Sequence, residues 1–272
     1  MINKIDISSM RRASVDETHA MLLEIIKHID RVCSKANIRY FAAFGTLLGA
    51  VREHGFISWD DDADLFMFRE DYERFCKVFN DYPDSRFFLN NADANEFFFL
   101  PFLSRVCMNN TFVGAWENAD QKFHTGLWVD IYPLDYCSQN IKETERKYNI
   151  CKFLHTRVVY QRRTKFRKCR SIEGLLEVAL LRLLPNRLIN KIYHKTIANN
   201  SPDKTSLVSF ASTYGFKYSK FSSSFFDETI YMPFEDMNIP CPAGYDELLK
   251  IIYGSNYMTP INRSFKTVFI KQ

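Results

Sequence analysis

Apolar positions along the chain alternate between helical and strand-like spacing through its first half. Leu22, Ile25, Ile26, Ile29, Val32 and Cys33 recur at helical intervals, so Val15–Ala36 reads as an amphipathic helix. Residues 40–44 read as a short buried strand. Gly45 then opens a turn into a brief helix over 46–52, and Gly55 closes that segment. A polar start followed by Leu65, Phe66, Met67 and Phe68 reads as a strand over 62–68, and REDYERFCKVFN (69–80) as a second amphipathic helix. Strand-like runs follow at 86–89, 97–106, 111–115 and 127–132. Beyond Asp135 the pattern turns mainly helical, over 143–159 and 172–194. A return to strand at 206–212 and a last helix, Tyr245–Tyr253 ended by Gly254, complete the chain.

This order predicts an α/β (α+β) fold: a mixed sheet core with helices, followed by an α-rich C-terminal cap. No Pro- or Gly-rich linker divides the halves, so one compact unit is expected, with residues 1–138 as the core and 139–272 packed on it. The 272 residues suffice for one large domain.

Composition changes the picture in three places. The 25 Phe and 14 Tyr exceed an ordinary share and imply a thick aromatic core or a lined pocket. Cysteines at 33, 76, 107, 137, 151, 169 and 241 lack CxxC or CxH spacing, which argues against a disulfide framework and a structural zinc site. The opening MINKIDISSMRRASVDE has no apolar h-region, and no apolar run approaches the ~20 residues of a membrane span. A cytoplasmic protein is expected, with peripheral contact at the inner face of the membrane. The net charge of +4 is concentrated over 157–170, in Arg157, Arg162, Arg163, Lys165, Arg167, Lys168 and Arg170. This strip reads either as a solvated face or, beside apolar 172–184, as a surface for an anionic bilayer. No nucleic-acid-binding motif accompanies it, so nucleic acid is not an expected partner.

The chemistry concentrates in FGTLLGAVREHGFISWDDDADL (44–65), where Asp60, Asp61, Asp62 and Asp64 fall within five positions. Side chains alternate on a strand, so an extended segment points Asp60, Asp62 and Asp64 one way. Clustered carboxylates repel one another and are costly to bury. A hard divalent cation removes that cost, and Mg²⁺ is commonly held by one or two carboxylates plus phosphate oxygens. A solvated acidic turn is the alternative, but Ala63 and Leu65–Phe68 argue for a strand entering a core. Downstream, Asp130 stands between Val129 and Ile131. Gly-Thr, then Asp-x-Asp, then a third strand acid is the layout of the nucleotidyltransferase superfamily.

The wider wording is more specific. GTLLGAVREHGFISWDDDADLFMFREDYERF, GLWVDIYPLD (126–135) and FEDMNIPCPAGYDELLKIIYGSNYMTP (234–260) resemble the signatures of the LicD family, along most of the chain. Departures are Glu53-His54 where a basic pair is common, Ser58 where Pro is common, and Ala63 where Ile is usual. The resemblance implies a nucleotidyltransferase-like fold and transfer of phosphocholine from CDP-choline to a sugar hydroxyl of a cell-surface glycan (lipopolysaccharide, teichoic acid or capsule). Transfer of ribitol or glycerol phosphate from a CDP donor, or true nucleotidyl transfer, is the alternative.

The resemblance also implies roles. Asp62 and Asp64 match paired metal ligands and Asp130 the third acid, which could also serve as general base, with two Mg²⁺ or Mn²⁺ ions. Asp60 is a fourth ligand or an acid behind the others. Gly45 and Thr46 suit close approach to phosphate. Arg52 and Arg105 are candidates for donor phosphates, with an ordinary ion pair as the competing reading. Trp59 and Trp128, with Tyr132, Trp116 and Phe97–Phe99 nearby in sequence, could cage a quaternary ammonium. Asp135 reads as a cap or turn residue, His54 and His124 as structural histidines, and Glu235 and Asp246 as residues orienting the cap. The partners expected are a CDP-linked donor and a glycan or lipid-linked glycan acceptor.

Overall fold

The computed structural model describes residues 10–92, 98, 100, 102–113, 125–154, 176, 179, 183, 186–197, 204–210, 216, 219–260 and 268–271. The first helix, α1 (Val15–Ala36), begins where Ser14 and Glu17 cap each other. The Glu17 amide donates to Ser14 Oγ at 3.1 Å, and the Ser14 amide donates to the Glu17 carboxylate at 2.9 Å. Asn37 ends the helix in the left-handed conformation (φ 53°). The apolar positions read from the sequence form its buried face.

The main sheet is built from β2 (Phe41–Ala43), β3 (Ala63–Phe68), β4 (Phe87–Asn90), β5 (Ser104–Met108) and β7 (Trp128–Tyr136). Its order is β2-β3-β7-β5-β4, with β3 and β7 parallel and the other neighbours antiparallel. The short strands β8 (Leu207–Ser209) and β9 (Lys220–Ser222) extend it from the end of β7. Helices α1 and α3 (Arg69–Val78) pack against the central strands; Tyr72 of α3 and Ser104 of β5 share a buried 2.6 Å hydrogen bond. Helix α2 (Phe44–Arg52) packs against β3, the hairpin strand β10 (Thr229–Phe234) and α6 (Tyr245–Tyr253). Between them lies an aromatic core: Phe66 meets Phe44, Tyr132, Phe210, Phe221 and Phe226. Much of the phenylalanine excess is therefore core.

The described residues beyond 138 contain α4 (Ile141–Phe153), α5 (Asn186–Ile197) and α6, as the helical pattern predicts. Strands accompany them. β10 pairs with β11 (Met237–Pro242), and β12 (Val268–Lys271) joins β1 (Met10–Arg12) to β6 (Thr111–Val113). Pro233, Pro240 and Pro242 obscure the hairpin in the sequence, because proline removes ladder donors. In a two-stranded ribbon each strand keeps an outer edge on which proline is tolerated. The basic stretch 157–170 and most of 172–184 lie outside the described residues. Among the described residues no helix is long and apolar enough to cross a membrane.

Asp135 does not cap a strand end. It lies inside β7, 5% exposed, and its two oxygens accept from Arg69 Nε at 2.8 Å and Nη2 at 2.7 Å. This two-pronged bond ties α3 to the sheet. Asp135→Asn leaves a largely desolvated guanidinium without its counter-charge and is expected to cost on the order of 3 kcal/mol. The double change Arg69→Met/Asp135→Leu should recover most of that loss, as read from denaturant midpoints at unchanged slope.

Candidate active site

The site begins with a strained turn. Phe44, the first residue of α2 directly after β2, has φ 42°, a conformation unfavourable for a bulky side chain. Its ring is held among Phe66, Tyr132 and Phe210 at centroid distances of 5.1, 5.3 and 5.2 Å. The turn brings the first residues of α2 against the acidic segment. A Cβ at Gly45 would stand 2.1 Å from Asp60 Oδ2, so any side chain here would displace the Asp60 carboxylate. Thr46 is 3% exposed, and its Oγ1 accepts the Asp64 amide proton at 2.9 Å. Gly45 and Thr46 thus position two of the acids.

Asp60, Asp61 and Asp62 precede β3, which begins at Ala63, so strand alternation does not sort them. Carboxylate oxygens of all three nonetheless lie within 4.8 Å of one another, and Asp61, absent from the sequence-derived ligand set, is the buried member. The Asp60 carbonyl oxygen lies 2.8 Å from His19 Nε2, which must carry the proton to donate there, and the imidazole stacks on Phe56 at 4.6 Å.

Asp64 belongs to the strand, and sheet register gives it its neighbours. Asp64 pairs with Asp130 across the parallel β3–β7 ladder, and Asp130 pairs with Arg105 across β7–β5. Directly paired residues share a sheet face, so the acids stand side by side with the arginine beyond. Asp130, 5% exposed, receives Arg105 Nε at 2.6 Å and Nη2 at 3.1 Å. Burial pushes the Asp64 carboxyl well above the usual carboxylate range; Asp62, Asp130 and Asp60 add to the rise, and Arg105 opposes it. Asp130 is raised by burial, against the pull of Arg105.

The two candidate arginines differ. The fork of Arg105 is committed to Asp130, and its guanidinium lies 4.1 Å over the Trp128 ring and 5.9 Å from that of Phe98. The ion-pair reading therefore describes Arg105, and one face of Trp128 is covered. Arg52 donates from Nε to Glu53 Oε1 at 2.7 Å and from Nη1 to the Tyr257 carbonyl at 3.0 Å, while its guanidinium sits 5.9 Å over Trp59. Its buried Nη2 has no hydrogen-bond partner among the described residues. Asp246 takes hydrogen bonds from Tyr257 Oη at 2.7 Å and from Lys250. Trp116, Phe97, Phe99 and His124 lie outside the described residues.

The donor set is all oxygen, anionic and partly buried, which fits a hard divalent cation. Asp60, Asp61 and Asp62 offer one cluster, and Asp64 and Asp130 adjoin it through the register and their mutual influence on charge. Residues 37–161 match the LicD/FKTN/FKRP nucleotidyltransferase domain family. Over these residues the chain resembles the LicD family. It is similar to the lipopolysaccharide cholinephosphotransferase LicD of Haemophilus influenzae, with 26% identity over 97% of this chain and 98% of that protein. Shorter matches join it to uncharacterized proteins of Rickettsia typhi (36% over 72 residues, 26% of this chain and 23% of that protein) and Rickettsia prowazekii (44% over 50 residues, 18% and 19%).

Sequence reasoning missed Asp61 and the contact of His19 with Asp60. An unbroken Asp-Asp-Asp run was a signal for the first; nothing local signals the second, 41 positions away. The support that Thr46 gives to Asp64 is open to test. Thr46→Val keeps the shape but leaves the Asp64 amide without its acceptor, an expected loss of about 1–3 kcal/mol. Thr46→Ser retains the acceptor and should lie much closer to wild type in the same denaturation measurement.

Proposed function

We propose that this protein is a LicD-family phosphotransferase that moves phosphocholine from CDP-choline to a sugar hydroxyl of a lipopolysaccharide-type glycan. The observation that carries this reading is the similarity to the Haemophilus influenzae cholinephosphotransferase, which runs along 97% of the chain. The acid row supports the chemical class. The tryptophans do not decide for choline, because a guanidinium already lies over a ring of each.

Asp62 and Asp64 would hold divalent cations, Mg²⁺ or Mn²⁺, with Asp130 as the third acid and Asp60 and Asp61 beside them. Bound there, two such ions would supply charge stabilisation to the attacking and leaving oxygens of an in-line displacement. The protein's own part is positional and protonic. Thr46 fixes the start of β3, and with it Asp64. Gly45 leaves room for the Asp60 carboxylate and, with Thr46, a close approach for donor phosphate. Arg52, whose Nη2 has no partner among the described residues, is suited to a donor phosphate oxygen. Asp130, steadied by Arg105, retains lone pairs on both oxygens, so it suits removal of the acceptor hydroxyl proton.

Residues 1–138 would form the catalytic core and 139–272 the acceptor side. A lipid-linked glycan would draw the enzyme to the cytoplasmic face of a membrane as a peripheral protein, with 157–170 as the contact we assign to it.

Asp64→Asn keeps shape and deletes a ligand charge. CMP release from CDP-choline should fall by several orders of magnitude, because phosphoryl transfer rests largely on electrostatic stabilisation. A folded variant with near-normal turnover, or full wild-type turnover in excess chelator, would contradict the metal mechanism.

Donor choice needs a separate measurement. With CDP-choline, CDP-ribitol and CDP-glycerol at equal concentration, mass spectrometry of the glycan should find phosphocholine in excess. Preferential polyol phosphate transfer would overturn the choline assignment and leave the acids' role intact, whereas use of CTP with pyrophosphate release would identify a nucleotidyltransferase.

A further inference from the structure

The segment joining α2 to the acids is gripped from far along the chain. Glu235, in the turn between β10 and β11, donates its amide proton to the His54 carbonyl at 2.9 Å. Its carboxylate oxygen Oε1 accepts the Phe56 amide proton, also at 2.9 Å. The two bonds bracket Gly55, where a Cβ would stand 2.3 Å from that oxygen, so the side chain lies flat against the glycine. His54 and Glu235 both hold left-handed backbone, φ 57° and φ 52°, a region costly for residues with a Cβ. These two left-handed residues, joined by the Glu235 amide bond to His54 and flanked by the Phe56 bond to the Glu235 carboxylate, form a clamp.

The clamp lies where it can govern the acids. Phe56 is 8% exposed, packs on Phe234 at 4.8 Å, and stacks on the His19 ring that holds the Asp60 carbonyl. The Asp60 amide donates back to Ile57 at 2.8 Å, closing a turn between clamp and carboxylates. Gly49 of α2 admits the Gly55 carbonyl, which a Cβ there would meet at 2.3 Å. Each contact from Glu235 to Asp60 is therefore fixed by the one before it.

We propose that Glu235 is a positioning residue for the Asp60–Asp61–Asp62 cluster: through Phe56, His19 and the Ile57–Asp60 turn, it sets the separation of those carboxylates. Glu235 acts through its bonds to His54 and Phe56. The consequence for cation affinity rests on the proposed metal role of the acids; the positioning itself does not.

Two measurements on the full chain test this with Glu235→Ala, which loses the acceptor, and Glu235→Gln, which keeps a neutral one. The first is amide hydrogen exchange of peptides covering residues 57–62. Glu235→Ala should accelerate exchange there about tenfold or more while β3 and β7 stay protected, and Glu235→Gln should stay within about threefold of wild type. Unchanged exchange over 57–62 in folded Glu235→Ala overturns the proposal, whatever the cluster binds.

The second is a titration with Mn²⁺ alone. Glu235→Ala should weaken binding by about tenfold to a hundredfold, and Glu235→Gln should recover most of it. A loss of thermal stability with Mn²⁺ affinity and loop exchange both unchanged would make Glu235 merely structural and contradict the assignment. If wild type binds no Mn²⁺, the metal reading falls, and exchange over 57–62 still decides whether Glu235 positions the loop.

Discussion

The register in which β3 lies parallel to β7 is the constraint from which the rest of the site follows. It places Asp64 directly beside Asp130 on one sheet face. A slip of one residue would turn one acid to the opposite face. Side by side at roughly 5 Å, two carboxylates repel by about 3 kcal/mol at the effective dielectric of a protein site. The fold accepts this repulsion and sets Arg105 beyond Asp130. Asp64 has no comparable pairing with a cation among the described hydrogen bonds; burial first, then Asp62, Asp130 and Asp60, raise its proton affinity.

The two faces of the sheet divide the work. α1 and α3 pack against the central strands through apolar contacts, the Tyr72–Ser104 hydrogen bond and the Arg69–Asp135 ion pair. The acid row stands beside α2, the loop before β3 and the aromatic layer around Phe66. The C-terminal hairpin and the residues after α6 hold the start of that loop, through Glu235 on Phe56 and the Tyr257 carbonyl on Arg52. Like charges held close need a rigid frame, and the left-handed Phe44, His54 and Glu235 show where the backbone carries that demand.

Periodicity made α1 and α6 legible, since both coincide with the ranges their apolar spacing predicts. It could not reveal β1, β12 or the β10–β11 hairpin. The first two are short and pair across most of the chain, and prolines disguise the third. The acids were legible as a group because carboxylates so dense, running into an apolar strand, are costly to bury without a cation. Their arrangement was not legible. Alternation assigned Asp60 and Asp62 to a strand face, whereas they occupy a loop whose shape comes from Glu235 and His19. Arg105 could be read as a phosphate contact because its partner Asp130 is set by sheet register, a long-range property.

The central claim, that these carboxylates form a divalent-cation centre, is tested most directly by anomalous diffraction from crystals soaked in Mn²⁺. The account predicts anomalous density bounded by Asp62 and Asp64, with Asp60 or Asp130 beside it, and its disappearance in Asp64→Asn crystals. Density confined to other surface carboxylates, or undiminished density in Asp64→Asn, would contradict it.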